Sequence, residues 1–186
     1  MRKLKLQVQI TLDGFISGKN NEMDWMIVNW SNDLKDYVTR LNERVDTILL
    51  GKNLALGFIP HWTDAYNRPE PMEGSEKYVK TPKVVFSKTL KKSEWDNTVV
   101  ANGDLIEEVN KLKNQKGKDM IVFGGGKFVS SLIKKGLIDE YHLFINPVAL
   151  GEGMPIFQDL DHRQNVTLQN SQVFECGIVV LKYKLR

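Results

Sequence analysis

The 186-residue sequence predicts an α/β fold of three layers: a central mixed, mostly parallel sheet with helices on both faces, closed by a C-terminal antiparallel hairpin. Three observations predict it. Apolar runs of strand length alternate with stretches whose apolar residues recur at helical spacing, the pattern of βα units on a parallel sheet. The β-type segments 166–174 and 177–183 are separated only by Glu175-Cys176, too short a link for a crossover, so they return antiparallel. No linker, repeat or low-complexity stretch interrupts the pattern, so residues 1–186 read as one domain.

The elements follow in order. Leu4, Leu6, Val8 and Ile10 alternate with Lys5, Gln7 and Gln9, a period-two strand. Asp13-Gly14 and the polar run Ser17 to Asn21 predict a long loop. A helix is predicted from Ser31 to Glu43, with Leu34, Tyr37, Val38 and Leu41 on one face and Ser31 or Asn32 as its cap. Thr47 to Leu50 is a short strand ended by Gly51, and Lys52 to Leu56 begins a short helix. Residues 59–74 contain Pro60, Pro69, Pro71 and Gly74 and read as an irregular excursion. Strands follow at Lys83–Ser87 and Thr98–Ala101, then an amphipathic helix from Asp104 to Asn114. Asp119 to Phe123 is a strand of buried type, which Gly124-Gly125-Gly126 turns into a helix carrying Phe128, Val129, Leu132 and Ile133 and terminated by Gly136. Glu140 to Asn146 is a strand stopped by Pro147.

Composition narrows the function classes. The net charge is +3 with both signs mixed, and the densest basic run, Lys88 to Lys92, is short, so no nucleic-acid footprint is predicted. Cys176 is the only cysteine and lies among apolar residues, where it reads as a small buried hydrophobe. His61, His142 and His162 are far apart and no metal-ligand spacing occurs, so no metal site is predicted. The N-terminus alternates polar and apolar residues without the core of a signal peptide, and no run approaches a membrane span. These readings point to a cytoplasmic protein acting on a small molecule.

The strand–glycine–helix unit at 119–135 is the strongest local signal. Consecutive glycines let backbone approach a ligand, and the following helix directs free N–H groups and its positive dipole end at the turn. Lys127 adds a cation there. The turn is not a Rossmann fingerprint, which needs glycine where Val129 stands, nor a P-loop, because Phe128 follows Lys127. A tight turn without a ligand is the plain alternative. Two further strand ends, Gly51-Lys52-Asn53 and Ser87-Lys88-Thr89, carry glycine, lysine or hydroxyl groups. Ligands bind beyond the carboxyl ends of strands in open α/β sheets, so the three ends together read as a polyanion cradle, with Lys52 and Lys88 available for an extra phosphate.

The order of these motifs carries a resemblance. Leu12-Asp13-Gly14-Phe15-Ile16, Asp24-Trp25, Leu50-Gly51-Lys52-Asn53, Ser87-Lys88, Gly124 to Phe128, Gly136 to Glu140 and Asn146 to Gly153 follow one another along the whole chain. In this the chain resembles the dihydrofolate-reductase-like superfamily. It is most similar there to the C-terminal reductase domain of riboflavin-biosynthesis deaminase-reductases and its stand-alone relatives. The resemblance implies NADPH-dependent hydride transfer to a small heterocycle, pterin- or aminopyrimidine-like. It places the pyrophosphate on Gly124, Gly125, Gly126, Lys127 and Phe128, and the adenosine 2′-phosphate side on Gly51, Lys52, Asn53, Ser87 and Lys88. Thr11, Leu12, Gly14 and Ile16 would flank the nicotinamide, and Trp25, Asp33 and Glu152 the substrate. Phe15 stands where the riboflavin enzymes carry a lysine, which points away from their phosphorylated substrate. Among the proton-donor candidates Asp13, Asp33, Glu152 and Tyr66, Asp13 ranks first. A catalytically silent nucleotide-binding protein of the same fold is the alternative. The apolar hairpin residues Val173, Phe174, Ile178, Val179, Val180 and Leu181, with the dimers common among such relatives, imply a homodimer.

Overall fold

The computed structural model describes residues 1–186. Ten strands and five helices follow one another as β1 Leu4–Ile10, β2 Phe15–Ser17, α1 Asn32–Glu43, β3 Val45–Gly51, α2 Lys52–Tyr66, α3 Ser75–Lys80, β4 Lys83–Phe86, β5 Thr98–Ala101, α4 Leu105–Lys113, β6 Asp119–Phe123, α5 Gly126–Lys134, β7 Glu140–Ile145, β8 Met154–Pro155, β9 Val166–Val173 and β10 Val179–Leu185. Eight strands form one sheet in the order β5-β4-β3-β6-β1-β7-β10-β9, while β2 and β8 pair separately. Every pairing from β5 across to β7 is parallel. The hairpin strand β10 is antiparallel to both β7 and β9.

Side-chain alternation sets the three layers. Leu4, Leu6 and Val8 of β1, with Leu49, Met120 and Val122, pack on one face against Val109 of α4 and Val129, Leu132 and Ile133 of α5. Their neighbours along the strands turn the other way. Ile48, Leu50, Val85 and Ile121 meet Leu41 of α1 and Ala55 and Ile59 of α2. Phe144 and Val180 meet Leu34 and Val38 of α1. The mostly parallel sheet, its helical layers and the C-terminal hairpin match the predicted class.

Three local expectations are corrected. The helix begun at Lys52 does not stop at Leu56; it runs through Pro60 to Tyr66, across residues read as irregular. A proline inside a helix removes the bond to the carbonyl four residues back, here that of Leu56, whose side chain is exposed. Burial of Ala55, Ile59 and Ala65 and the packing of Phe58 and Trp62 on Tyr78 outweigh that loss. Tyr78 belongs to α3, a six-residue helix too short to show a helical period in the sequence. The loop after β1 contains β2, paired with β8. Ser31 precedes α1 but its side chain does not cap it; its hydroxyl instead donates to Asp33 Oδ1 at 2.5 Å. No helix is long and apolar enough to cross a membrane.

Candidate functional site

The two ends of the parallel strands differ in chemistry. At the amino ends, charges are paired: Arg2 with Asp46, Lys5 with Asp119 at 3.0 Å, and Lys113 with Asp139 at 2.7 Å. At the carboxyl ends, Lys52 and Lys127 have no carboxylate within 4.0 Å. Parallel register brings those ends to one edge, with Gly51 beside Phe86 and Phe86 beside Ala101. Between β3 and β1, strand β6 ends at Phe123 opposite Gln7, while β1 continues to Ile10 beside β7. The short β6 therefore leaves its glycine turn in a notch between two longer neighbours.

The three glycines of the turn do different things. Gly125 caps α5 in the left-handed region, φ +84°, which favours a residue without Cβ. Gly126 is buried, and a Cβ there would strike the Met154 side chain and approach Ile16 Cδ1 to 3.3 Å, so this glycine seats the β2–β8 pair. Gly124 has open space where its Cβ would be. The first intrahelical bonds run from the Phe128 and Val129 amides to Gly125 O at 3.0 and 3.1 Å. The amides of Gly126 and Lys127 are thus left to an external acceptor, as at any helix start. An anion placed against Gly124 would meet free N–H groups, a helix dipole and Lys127.

The neighbouring segments lock onto this turn. A Cβ on Gly51 would lie 2.8 Å from Phe128 Cβ, so Gly51 allows α5 to approach β3. Phe128 also packs on Phe86 with ring centroids 4.9 Å apart. Leu54 of α2 lies 3.4 Å from the Cβ position of Gly125, and Phe58 stacks on Phe123 at 5.4 Å. Lys52 Nζ donates to Thr89 Oγ1 at 2.8 Å, and Ser87 Oγ accepts from the Thr89 and Leu90 amides at 3.1 and 2.9 Å. Lys52, Ser87 and Thr89 form one exposed group; Lys88 turns away and donates to Asn102 O and Gly103 O at 3.1 and 2.6 Å. Asn53 is exposed at the start of α2.

On the β1 side, the loop 11–15 is tightly closed. Thr11 is fully buried, and its N–H donates to Phe15 O at 2.9 Å while its Oγ1 accepts from Phe15 N at 2.9 Å. Asp13 lies in this loop. One carboxylate oxygen accepts from Thr11 Oγ1 at 2.5 Å, the other from the Leu150 and Gly151 amides at 3.0 and 2.7 Å. These bonds, led by the Thr11 hydroxyl, hold its carboxyl below the usual range. An ionised carboxylate that accepts these three bonds clasps two loops together; it is not furnished as a proton donor.

Asp33 is used in the same way. It accepts from Ser31 Oγ, from Leu34 N at 2.8 Å and from Glu175 N at 3.2 Å, and the Ser31 hydroxyl leads the lowering of its pKa. Glu152 is exposed and pairs with Lys19 at 3.2 Å. Tyr66 ends α2 beneath Lys80 Nζ, 6.0 Å from the ring centroid. Trp25 is half-buried and donates to Glu22 O at 3.3 Å. Its segment is anchored by Asn146, which is wholly buried, accepts from Ile27 N at 3.0 Å and donates to Gln9 Oε1 at 2.7 Å.

Thr89 belongs to the strand end Ser87-Lys88-Thr89 that the sequence marks, but its bond to Lys52 does not show there, and Leu54, Phe58, Met154 and the anchoring role of Asn146 carry no signal of their own in the sequence.

The model of the RibD C-terminal domain matches residues 2–180. This chain belongs to the RibD C-terminal domain family. The protein YyaP of Bacillus subtilis (strain 168), itself described as uncharacterized, is 38% identical over 187 residues, covering 98% of this chain and 94% of its own length. A pyrimidine reductase-like protein of Corynebacterium diphtheriae superposes with a TM-score of 0.64 at 14% identity, covering 100% of this chain and 92% of that one. The deaminase/5-amino-6-(5-phosphoribosylamino)uracil reductase of Thermotoga maritima superposes with a TM-score of 0.70 at 16% identity. This chain is covered in full there but spans only 57% of that protein. The fold is that of a RibD reductase domain, dihydrofolate-reductase-like, and membership in the family supports a riboflavin-type, reductase-like function.

Proposed function

We propose that this chain is an NADPH-dependent reductase of a small pterin- or aminopyrimidine-like heterocycle. The pyrophosphate would lie on residues 124–127 and the adenosine 2′-phosphate beside Lys52, Ser87 and Thr89. The observation that carries this reading is the convergence, at one sheet edge, of an open glycine, a helix N-terminus without a side-chain cap and two cations without carboxylate partners. Those groups fit a dinucleotide phosphate chemically. Bound there, the cofactor would supply a hydride. Thr11, Leu12, Gly14 and Ile16 would flank the nicotinamide, and Trp25, Leu54 and Phe58 would wall the substrate side. Asp13 would hold the 11–15 loop in place, and water would bring the proton.

A specific observation favours a second reading. Asp13 and Asp33 each accept three hydrogen bonds as carboxylates, and Glu152 is exposed in an ion pair, so no carboxylic acid is poised for transfer. A protein that binds the dinucleotide without turning it over would have this form. Loss of NADPH absorbance on a panel of dihydrofolate, pterins and aminopyrimidines separates the two. Turnover supports the reductase, tight binding without turnover supports the silent binder, and absence of binding contradicts both.

The reading carries with it a cytoplasmic location and a homodimer. Phe174, Ile178 and Val180 are core residues, which accounts for part of the apolar hairpin. Leu168 and Val173 on the edge strand β9 are 51% and 74% exposed, and they support an edge-to-edge contact with a second copy. Sedimentation should give twice the chain mass, and Leu168→Lys should return the single chain; a monomeric wild type contradicts the dimer.

A further inference from the structure

On the α1 face of the sheet, near the amino ends of β1 and β7, a cavity of about 460 Å³ is lined by residues of α1, β1, β7, β9 and β10. Its charges are unequal. Lys5, Arg40 and Lys182 face a single lining carboxylate, Glu140. Lys182 lies 3.2 Å from Glu140, which Lys3 also reaches at 2.7 Å, and Lys5 is held by Asp119. Arg40 is exposed and has no carboxylate within 4.0 Å.

His142 supplies the independent observation. It is only 3% exposed and lines the cavity. Its Nδ1 lies 2.7 Å from the Tyr37 hydroxyl, while Nε2 is buried without a hydrogen-bond partner. Glu140 Oε2, at 3.6 Å, attracts the ring but lies beyond hydrogen-bond length. With the Tyr37 hydroxyl donating to Nδ1, Nε2 carries the proton, and a buried donor left unmatched calls for an acceptor. A bulge in the β9–β10 ladder adds polar groups at the same place: Lys182 pairs with Asn170 and Tyr183 with Leu168, leaving Gln169 as the extra residue.

We infer that this cavity is a second ligand site, independent of the dinucleotide edge, that binds a phosphoryl group as inorganic phosphate or at the end of a small phosphomonoester. Arg40, the lining cation without a carboxylate partner, and the unmatched His142 Nε2 set the chemistry. The Tyr37 contact and the strand positions of Lys5, His142 and Lys182 preorganise the donors.

The test follows the ring signals of 15N-labelled full-length protein at fixed ionic strength. Inorganic phosphate should shift the His142 Nε2 signal saturably and leave those of His61 and His162 in place. Arg40→Gln and Asn170→Asp, both at exposed positions, should each weaken binding roughly tenfold or more, through a lost charged donor and an added repulsive charge. Glycerol 3-phosphate distinguishes the sources: clearly tighter binding than phosphate assigns a monoester, equal binding assigns the free anion. Lys52→Gln should leave the His142 response unchanged. No saturable shift, an equal shift with chloride, wild-type affinity in both variants, or loss of the response in Lys52→Gln would each overturn the proposal.

Discussion

Asp13 and Asp33 are carboxylates whose oxygens close loops onto distant backbone amides, and this decides what they can do. Asp13→Asn removes the charge that strengthens those bonds. The proposed clasp role predicts weaker NADPH binding through a looser 11–15 loop, with the pH profile of any turnover unmoved. A profile that loses a limb in the variant would restore Asp13 as the acid. His142 gives a second prediction. Burial, partly offset by Glu140, holds it below its ordinary value of 6.5. Its unfolded form therefore binds a proton first, so the stability it contributes is full above about 6.5 and is lost as pH falls through the folded value. The groups facing it are Tyr37 and Arg40 of α1, Lys5 of β1, Glu140 of β7 and Lys182 of β10, with Lys3 and Lys182 also bound to Glu140. Glu140 is held well below the usual carboxylate range by the His142 imidazole, Lys3 and Lys182, so its own loss comes at lower pH. Urea denaturation across mildly acidic pH should show a slope of up to about 1.4 kcal/mol per pH unit, flattened in His142→Gln. An unchanged slope contradicts this role. None of these partnerships was legible in the sequence. Asp13 meets residues 137 and 138 positions away, and only the folded chain brings them together.

At the scale of elements, the glycine turn separates packing from binding. Gly126→Ala forces Met154 and Ile16 aside and should cost about 1–3 kcal/mol of stability. Gly125→Ala places a side chain at φ +84° and should cost about 1–2 kcal/mol. Gly124→Ala meets open space, so it should melt like the wild type while binding NADPH more weakly. Equal NADPH affinity in that variant would leave Gly124 without a ligand role. Elements with a clear apolar pattern were legible: β1 by its alternation, although Lys5 and Gln7 are buried as well, β6 by its continuous apolar run and α4 by its spacing. The second half of α2 was not, because Pro60 argues locally against a helix that the contacts of Phe58 and Trp62 with Tyr78 maintain. Strands β2 and β8 are too short for any periodicity and exist through their pairing.

The whole molecule concentrates its ion pairs at the amino ends of the parallel strands and its glycines, hydroxyls and unpaired lysines at the carboxyl ends. The ion pairs at the amino ends join residues distant in sequence and were not legible there, whereas the carboxyl-end half of that polarity was legible at three strand ends, since each carried its own glycine or hydroxyl. Which groups gather there was foreseen only in part: Lys52 joins Thr89, whereas Lys88 is drawn to the carbonyls after β5. Family membership fixes the reductase-like fold and leaves the cofactor to experiment. The most direct test is the ratio of NADH to NADPH dissociation constants, read by quenching of tryptophan fluorescence in wild type and in Lys52→Gln. A 2′-phosphate held by Lys52 predicts NADPH binding roughly tenfold or more tighter than NADH in the wild type, with the ratio falling toward one in the variant. Equal affinities in the wild type, or a ratio that survives the substitution, would contradict the account.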